Sequence, residues 1–246
     1  MNPQNTYLVN EVYPCLQGEG TNLGKPSVLV RLQICNLRCT WCDTPYTHTY
    51  QSDPVEAEGG VKTQGFKRLS HHELSEKIRT HNKISHIIIS GGEPTLQNLA
   101  PLIEEFLPTH SLEVESNGTQ IPHKNHRDFS VSHYHGVQWN ISPKGRNASQ
   151  NINPEALSHW SGLAQMNQRI FFKFVIRQEH QQDDLCELKE LVNEFSIPDK
   201  NIILMPEGTS RESQLESTWL ERICLENGWM MSTRLHVLLH GPRRGV

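Results

Sequence analysis

Short aliphatic runs alternate along the chain with segments whose apolar residues recur every three or four positions. The runs fall at 28–34, 86–90, 112–116, 137–142, 170–176, 202–205 and 235–239. Their β-branched content and their length suit buried parallel strands. Helical patterns lie between them. Ser70-His71-His72-Glu73 has the form of a capping box, with Leu74 and Ile78 following on one face. A second box at 209–212 leads into Leu215, Trp219, Leu220, Ile223 and Cys224 at helical spacing, and Gly228 is placed to end that helix. Segments 96–107, 154–166 and 181–195 are further helix candidates.

Strand alternating with helix means βα units and a parallel sheet. About six units are too few for the eight of a closed barrel. The pattern therefore predicts an α/β fold: a partial, open βα barrel of about six parallel strands in a single domain, 1–246. Neither a Pro/Ser linker nor an internal repeat divides the chain. One long stretch, 44–69, carries no pattern and is rich in Thr, Gly, Glu and Gln. A loop of that length in a compact domain is functional or mobile.

The polar motifs fall at a consistent place. Ser90-Gly91-Gly92-Glu93-Pro94, Glu115-Ser116-Asn117-Gly118-Thr119, Ser142-Pro143-Lys144 and Met205-Pro206-Glu207-Gly208 each follow a predicted strand directly. Any one of them could be a plain turn. Ligands of parallel α/β folds bind at the carboxyl ends of the strands, and four such loops in a row describe one rim.

Composition narrows the picture. Hydrophobic residues at 35% and charged residues at 20% mark an ordinary globular chain rather than a disordered one. A net charge of −4 gives no electrostatic case for a nucleic-acid partner. The N-terminus has no basic start followed by an apolar run, and no apolar stretch approaches the about eighteen residues a membrane span needs. The expectation is a cytoplasmic protein with no membrane partner.

Three of the six cysteines lie together, Cys35, Cys39 and Cys42, spaced C-x3-C-x2-C immediately after the first strand. In a reducing compartment clustered thiols are more often metal ligands than disulfide partners. Three thiolates on one loop can hold three irons of a cubane and leave the fourth open to a substrate, which a four-cysteine ferredoxin site cannot do. A structural zinc site is the alternative; His48 could be its fourth ligand, although such sites usually draw on two separated pairs. His123, His126, His133 and His135 lie in a polar connection and read as solvated histidines rather than as a second metal site.

The C-x3-C-x2-C loop, with Gly91-Gly92-Glu93 after the next strand, resembles the radical S-adenosylmethionine (SAM) superfamily. A closer likeness surrounds it: Gln17-Gly18-Glu19-Gly20, Val30-Arg31, the run from Cys35 to Asp43 and Thr44, Ser90 to Pro94, Asn117-Gly118-Thr119, Ser142-Pro143-Lys144, Met205 to Gly208, and the tail Arg234-Leu235-His236 with Arg244-Gly245-Val246. In order, these resemble the 7-carboxy-7-deazaguanine synthase family of the queuosine and 7-deazapurine pathway. The cysteine motif alone would give only the superfamily. The flanking Gln17–Gly20 and Cys42-Asp43-Thr44 elements specify the family.

That resemblance implies a [4Fe-4S] cluster on Cys35, Cys39 and Cys42, which cleaves SAM to methionine and a deoxyadenosyl radical. It implies a pterin substrate, 6-carboxy-5,6,7,8-tetrahydropterin, whose ring contracts with loss of ammonia. Trp41, Cys42, Asp43, Gly91, Gly92, Glu93, Ser142, Pro143 and Lys144 would flank SAM, with Glu93 pairing with its amine. Leu16, Gln17, Gly18, Glu19, Arg31 and Ser90 would meet the substrate, Arg31 taking the carboxylate because its fork matches one. An arginine inside an apolar strand needs some anion, and a structural carboxylate would also serve. Thr44 would be the Mg²⁺ ligand, weak unless substrate oxygens and waters complete the shell. An electron donor such as flavodoxin and a homodimer are expected from the same resemblance. No catalytic side chain is assigned beyond the cluster. Another radical SAM enzyme, such as a glycyl-radical activase, is the competing reading, but it leaves Gln17–Gly20 and Arg31 unexplained.

Overall fold

The computed structural model describes residues 6–48, 65–166, 169–241 and 243–245. Val246 and most of the 44–69 stretch lie outside these, so the expectations attached to them do too.

The strands are β1 (Thr6–Leu16), β2 (Pro26–Leu32), β3 (Lys67–Ser70), β4 (His86–Gly91), β5 (Ser111–Ser116), β6 (Gln138–Ile141), β7 (Ile170–Ile176), β8 (Ile202–Pro206) and β9 (Met230–Met231). They form one sheet in the order β3-β1-β2-β4-β5-β6-β7-β8-β9. From β2 to β9 every pairing is parallel. Among the described residues the two ends of the order stay unpaired, so the barrel is open as expected. Helices α1 (His71–Arg79), α2 (Ala100–Phe106), α3 (Pro122–Asn125), α4 (Pro154–Gln165), α5 (Gln181–Phe195), α6 (Arg211–Leu215), α7 (Thr218–Asn227) and α8 (Leu235–His240) complete the chain.

Local chemistry accounts for the boundaries. Ser70 caps α1 by accepting from Glu73 N at 3.2 Å, while the Glu73 carboxylate accepts from Ser70 N at 2.7 Å. Gly228, at φ 69, terminates α7 in the left-handed conformation that glycine adopts without a Cβ penalty. The box expected at 209–212 is displaced by one residue, because Ser210 is the residue that caps, accepting from Ser213 N at 3.1 Å. The single helix expected beyond it is two, α6 and α7, and Leu215 is exposed rather than on a buried stripe.

Two further expectations need correction. The run 235–239 is not a strand but helix α8. A short aliphatic run cannot be told from a helix by periodicity, and three leucines favour helix. The sheet also has an antiparallel margin that the pattern did not reveal: β1 pairs antiparallel with both β2 and β3. β1 carries Pro14, opposite Val28, beyond the residues that pair with β3, so the missing amide leaves no gap in a ladder.

The sheet has two unlike faces. On the outer face Val28, Val30, Leu32, Ile87, Ile89, Leu112, Val114, Trp139, Ile141, Ile170, Phe172, Phe174, Ile202 and Leu204 join helix residues such as Leu74, Leu102 and Trp160 in one apolar core. The alternate residues, Arg31, Ser90, Glu113, Glu115, Gln138, Asn140 and Lys173, are outside that core. Lys173 on β7 reaches Glu19, just past the end of β1, and Leu235 N donates to Gly18 O at 2.8 Å. Contacts between strands so far apart in the order require the sheet to curl around this polar face.

Candidate active site

The cysteine loop begins where β2 stops. Ile34, a β-branched residue, has φ 82, a strained left-handed backbone held by its neighbours. Its N–H donates to Thr47 O at 2.7 Å, and its carbonyl accepts from Glu93 N at 2.7 Å. Gly92 N likewise donates to Leu32 O at 3.1 Å. A Cβ on Gly92 would collide with the Ile34 carbonyl and approach the Cys35 side chain. Gly91 and Gly92 therefore allow the loop after β4 to lie directly on the cysteine loop.

The next rim loops are stitched on in turn. Glu93, fully buried, accepts from Asn117 N at 2.6 Å, from Ser116 Oγ at 2.9 Å and from both donors of Thr95. Burial pushes its carboxyl up, and these hydrogen bonds oppose that shift. Asn117 reaches Asn36 Oδ1 at 3.0 Å, and Ser142 N donates to Ser116 O at 2.7 Å. Trp41 Nε1 donates to Asn147 O at 2.8 Å, and Lys144 Nζ sits 4.9 Å from the Trp41 ring centre. Trp41, Gly91, Gly92, Glu93, Ser142, Pro143 and Lys144 thus belong to one connected rim beside the cysteines, and Asp43 meets Arg234 at 3.5 Å. The expected pairing of Glu93 with an amine finds no support, because its buried carboxylate is occupied by protein donors.

Cys35, Cys39 and Cys42 are partly buried and carry no disulfide. Burial, with further repulsion from Glu93 and the two neighbouring thiols, pushes the Cys35 thiol up to about 11. Sulfurs so placed hold charge only against a cation. Among the described residues no three His, Cys, Asp or Glu side chains converge as ligands of one metal ion would. A tetrahedral zinc site demands that convergence. A cubane asks each cysteine to bind a different iron, and the donor set fits it. Thr44 Oγ1 has a long contact to Cys42 Sγ, 3.8 Å, and its carbonyl is taken by Thr47.

Across the inner face lies a charged network that the sequence reading missed. Lys173 is buried between Glu19 and Glu115, the latter at 2.7 Å. Burial alone would disfavour all three charges. Lys173, with Arg234 and His236 behind it, nevertheless holds the Glu19 carboxyl well below its ordinary range, while Glu115 is raised by its burial and by nearby Glu113 and Glu19. Glu113 accepts from His86 at 2.9 Å, Asn22 at 2.8 Å, Gln17 at 2.8 Å and Asn140. The signal was available: β5 and β6 place Glu113, Glu115, Gln138 and Asn140 at every second position, a half-polar alternation, and β7 carries the lone charge of Lys173 in an otherwise apolar strand.

The expected substrate residues are distributed unevenly around this network. Arg31 and Ser90 are cross-strand neighbours. Arg31 Nε pairs with Glu11 at 2.8 Å, and the other Glu11 oxygen takes Arg244 at 2.7 Å. Arg244 also lies 3.5 Å over the Tyr46 ring. The structural carboxylate for Arg31 therefore exists, but two guanidiniums share it. Gln17 is buried, with its amide donating to Glu113 and its carbonyl accepting from Glu19 N at 3.2 Å. Gly18 lies so close to His236 that a Cβ would strike the imidazole. Leu16, the last residue of β1, is 45% exposed. Of the four histidines expected to be solvated, His135 is exposed, whereas His133 is buried against Glu104 at 2.9 Å, His126 contacts Thr95 O at 2.8 Å and His123 contacts Tyr134 Oη at 3.0 Å.

Comparison with known proteins supplies the family. Residues 29–129 match the Radical SAM superfamily. The 7-carboxy-7-deazaguanine synthase of Pyrobaculum aerophilum is 31% identical over 243 residues, covering 96% of each chain. That of Aquifex aeolicus is 31% identical over 89% of this chain and 85% of its own. The chain belongs to the 7-carboxy-7-deazaguanine synthase family. It is a radical SAM enzyme of 7-deazapurine biosynthesis, a lyase that uses a [4Fe-4S] cluster and SAM on a small-molecule substrate. The crystal structure of QueE from Escherichia coli shares the fold at a TM-score of 0.68, 22% identity and 93% coverage of both chains. No helix among the described residues is long and apolar enough to cross a membrane.

Proposed function

We propose that this enzyme converts 6-carboxy-5,6,7,8-tetrahydropterin to 7-carboxy-7-deazaguanine with loss of ammonia, on the inner face of the barrel. One observation carries the substrate assignment. The face is acidic at its centre, where Glu19 and Glu115 flank Lys173, and one anion short at the Arg31 end, where Arg31 and Arg244 share Glu11. A pterin offers N–H donors along its pyrimidine edge and, in this substrate, a carboxylate elsewhere on the bicycle. Carboxylates accept from the first, and a guanidinium fork takes the second.

Cys35, Cys39 and Cys42 hold the cluster in this reading. When bound and reduced, that group supplies the electron that cleaves SAM, generating the radical that removes a substrate hydrogen. Trp41, Cys42, Asp43, Gly91, Gly92, Ser142, Pro143 and Lys144 surround SAM, and Glu93 acts by fixing the loop after β5 rather than by touching the amine. Gln17 positions Glu19 and Glu113, Arg31 and Ser90 meet the substrate, and Gly18 gives His236 room. Thr44 Oγ1 serves Mg²⁺ once substrate and waters complete the shell. We also take residues 1–246 as one domain of a cytoplasmic homodimer reduced by a flavodoxin-type donor, on the family resemblance.

Turnover tests the reading. Anaerobically reconstituted protein given SAM, a reductant and the carboxy-tetrahydropterin should release 7-carboxy-7-deazaguanine and ammonia. SAM cleavage with no deazapurine formed would favour a different radical SAM reaction.

A further inference from the structure

His48 is left unused by the site described above, yet its Nε2 lies 3.2 Å from Cys42 Sγ. The backbone that carries the ring is held from several sides. Pro45 opens a 3₁₀ turn, Pro45–Thr47, and buried Thr47 locks it by donating both N–H and hydroxyl to Thr44 O, at 2.9 and 2.8 Å. Thr47 O accepts from Ile34 N at 2.7 Å, so the turn is tied to the residue before Cys35. His48 N donates to Pro45 O at 3.1 Å, and His48 O accepts from Arg38 Nη2 at 3.0 Å. Arg38 Nη1 in turn donates to Cys35 O at 2.8 Å and Leu37 O at 2.7 Å. One arginine thus clamps the histidine's backbone to the loop between the first two cysteines.

An iron-bound thiolate has no proton to give, so a contact of this length to Cys42 must be made by an imidazole N–H donating to sulfur. We propose that His48 is a positioning and tuning residue: its Nε2–H donates to the Cys42 thiolate and stabilises the reduced cluster over the oxidised one. Reduction adds negative charge that is shared with the ligand sulfurs, and hydrogen bonds to those sulfurs are one lever by which a protein sets cluster potential. The effect is local to one corner. Cys35 receives Leu37 N at 3.4 Å and a long contact from Asn117 at 3.9 Å, whereas Cys42 has the shorter imidazole contact. The same contact commits the imidazole to a ligand sulfur and away from the open iron. This inference rests on Cys42 being a cluster ligand.

The test is a redox titration of anaerobically reconstituted protein followed by EPR, with iron and sulfide counted in each sample. His48→Leu removes the donor, whereas His48→Gln keeps an N–H at a similar reach. The leucine variant should hold wild-type iron but require a more reducing potential. About a tenfold loss in the reduced-to-oxidised ratio at fixed potential is expected, equivalent to about 59 mV for one electron. The glutamine variant should stay near wild type. An unmoved midpoint in the leucine variant with full iron overturns the hydrogen bond, and so does loss of iron from both variants. Should the leucine variant alone lose iron, a wild-type midpoint in the glutamine variant supports the donor and a lowered one overturns it. Wild-type protein without iron would remove the ligand assignment itself, which separates that failure from this one.

Discussion

The two faces of the sheet are built from the same strands, yet they solve opposite problems. The outer face buries Trp139, Phe172 and their neighbours against helix residues such as Trp160, where apolar area and close packing hold the fold together. The inner face places Glu113, Glu115, Asn140 and Lys173 at the alternate positions, where each charge survives only because partners from distant parts of the chain meet it. A strand period of two lets one segment serve both ends: stability on one side and recognition on the other. Damage to the outer face should therefore be read in unfolding, and damage to the inner face and its rim in chemistry.

The rim should give the largest effect. Cys39→Ala is expected to lose iron and reduce SAM cleavage to background while leaving the chain folded; cleavage with a full cluster would refute that ligand. Next, Trp160→Ala, on helix α4 in the core that the outer face shares, should cost about 3–5 kcal/mol of stability in denaturant titration of apo protein. Lys173→Met tests how far the division holds, because it strands Glu19 and Glu115 without their cation. Breaking such a buried pair costs about 3–5 kcal/mol, so this inner-face residue should behave in unfolding like a core residue. Glu115→Gln added to it should recover part of the loss, and no recovery would mean that the stranded Glu115 charge is not its source. Arg31→Ala should leave cluster content unchanged and weaken substrate binding by roughly 10- to 100-fold, the value of a charged hydrogen bond. An unchanged affinity in titration would take Arg31 out of the site.

The smallest expected effect is at the helix side. Burial, with His123 and Lys124 nearby, lowers His159 to about 4 from its ordinary 6.5, and its buried Nε2 has no hydrogen-bond partner among the described residues. Because the folded value lies below the unfolded one, the unfolded chain takes up the proton first. The stability held above pH 6.5 is then lost as pH falls toward about 4. His159→Phe should flatten the melting temperature of apo protein between pH 7 and 5; an unaltered slope would assign the dependence elsewhere.

Legibility followed locality. Strands β4 to β8 were readable as short aliphatic runs, and the capping box of α1 and the Gly228 stop were readable from a few adjacent residues. The cysteine loop and the rim motifs were equally plain, since each lies within one segment. What escaped was long-range. Glu19 and Lys173 are brought together only by the curl of the sheet, and Glu11 meets Arg31 only across an antiparallel pair that the pattern did not suggest. Helix α8 was misread because an aliphatic run of its length carries no period long enough to separate helix from strand.

The open iron corner is the claim on which the chemistry depends, and EPR of the reduced, reconstituted protein with and without SAM tests it directly. The account predicts a [4Fe-4S] signal whose shape changes when SAM is added. An iron-free preparation, or a cluster signal indifferent to SAM, would contradict it.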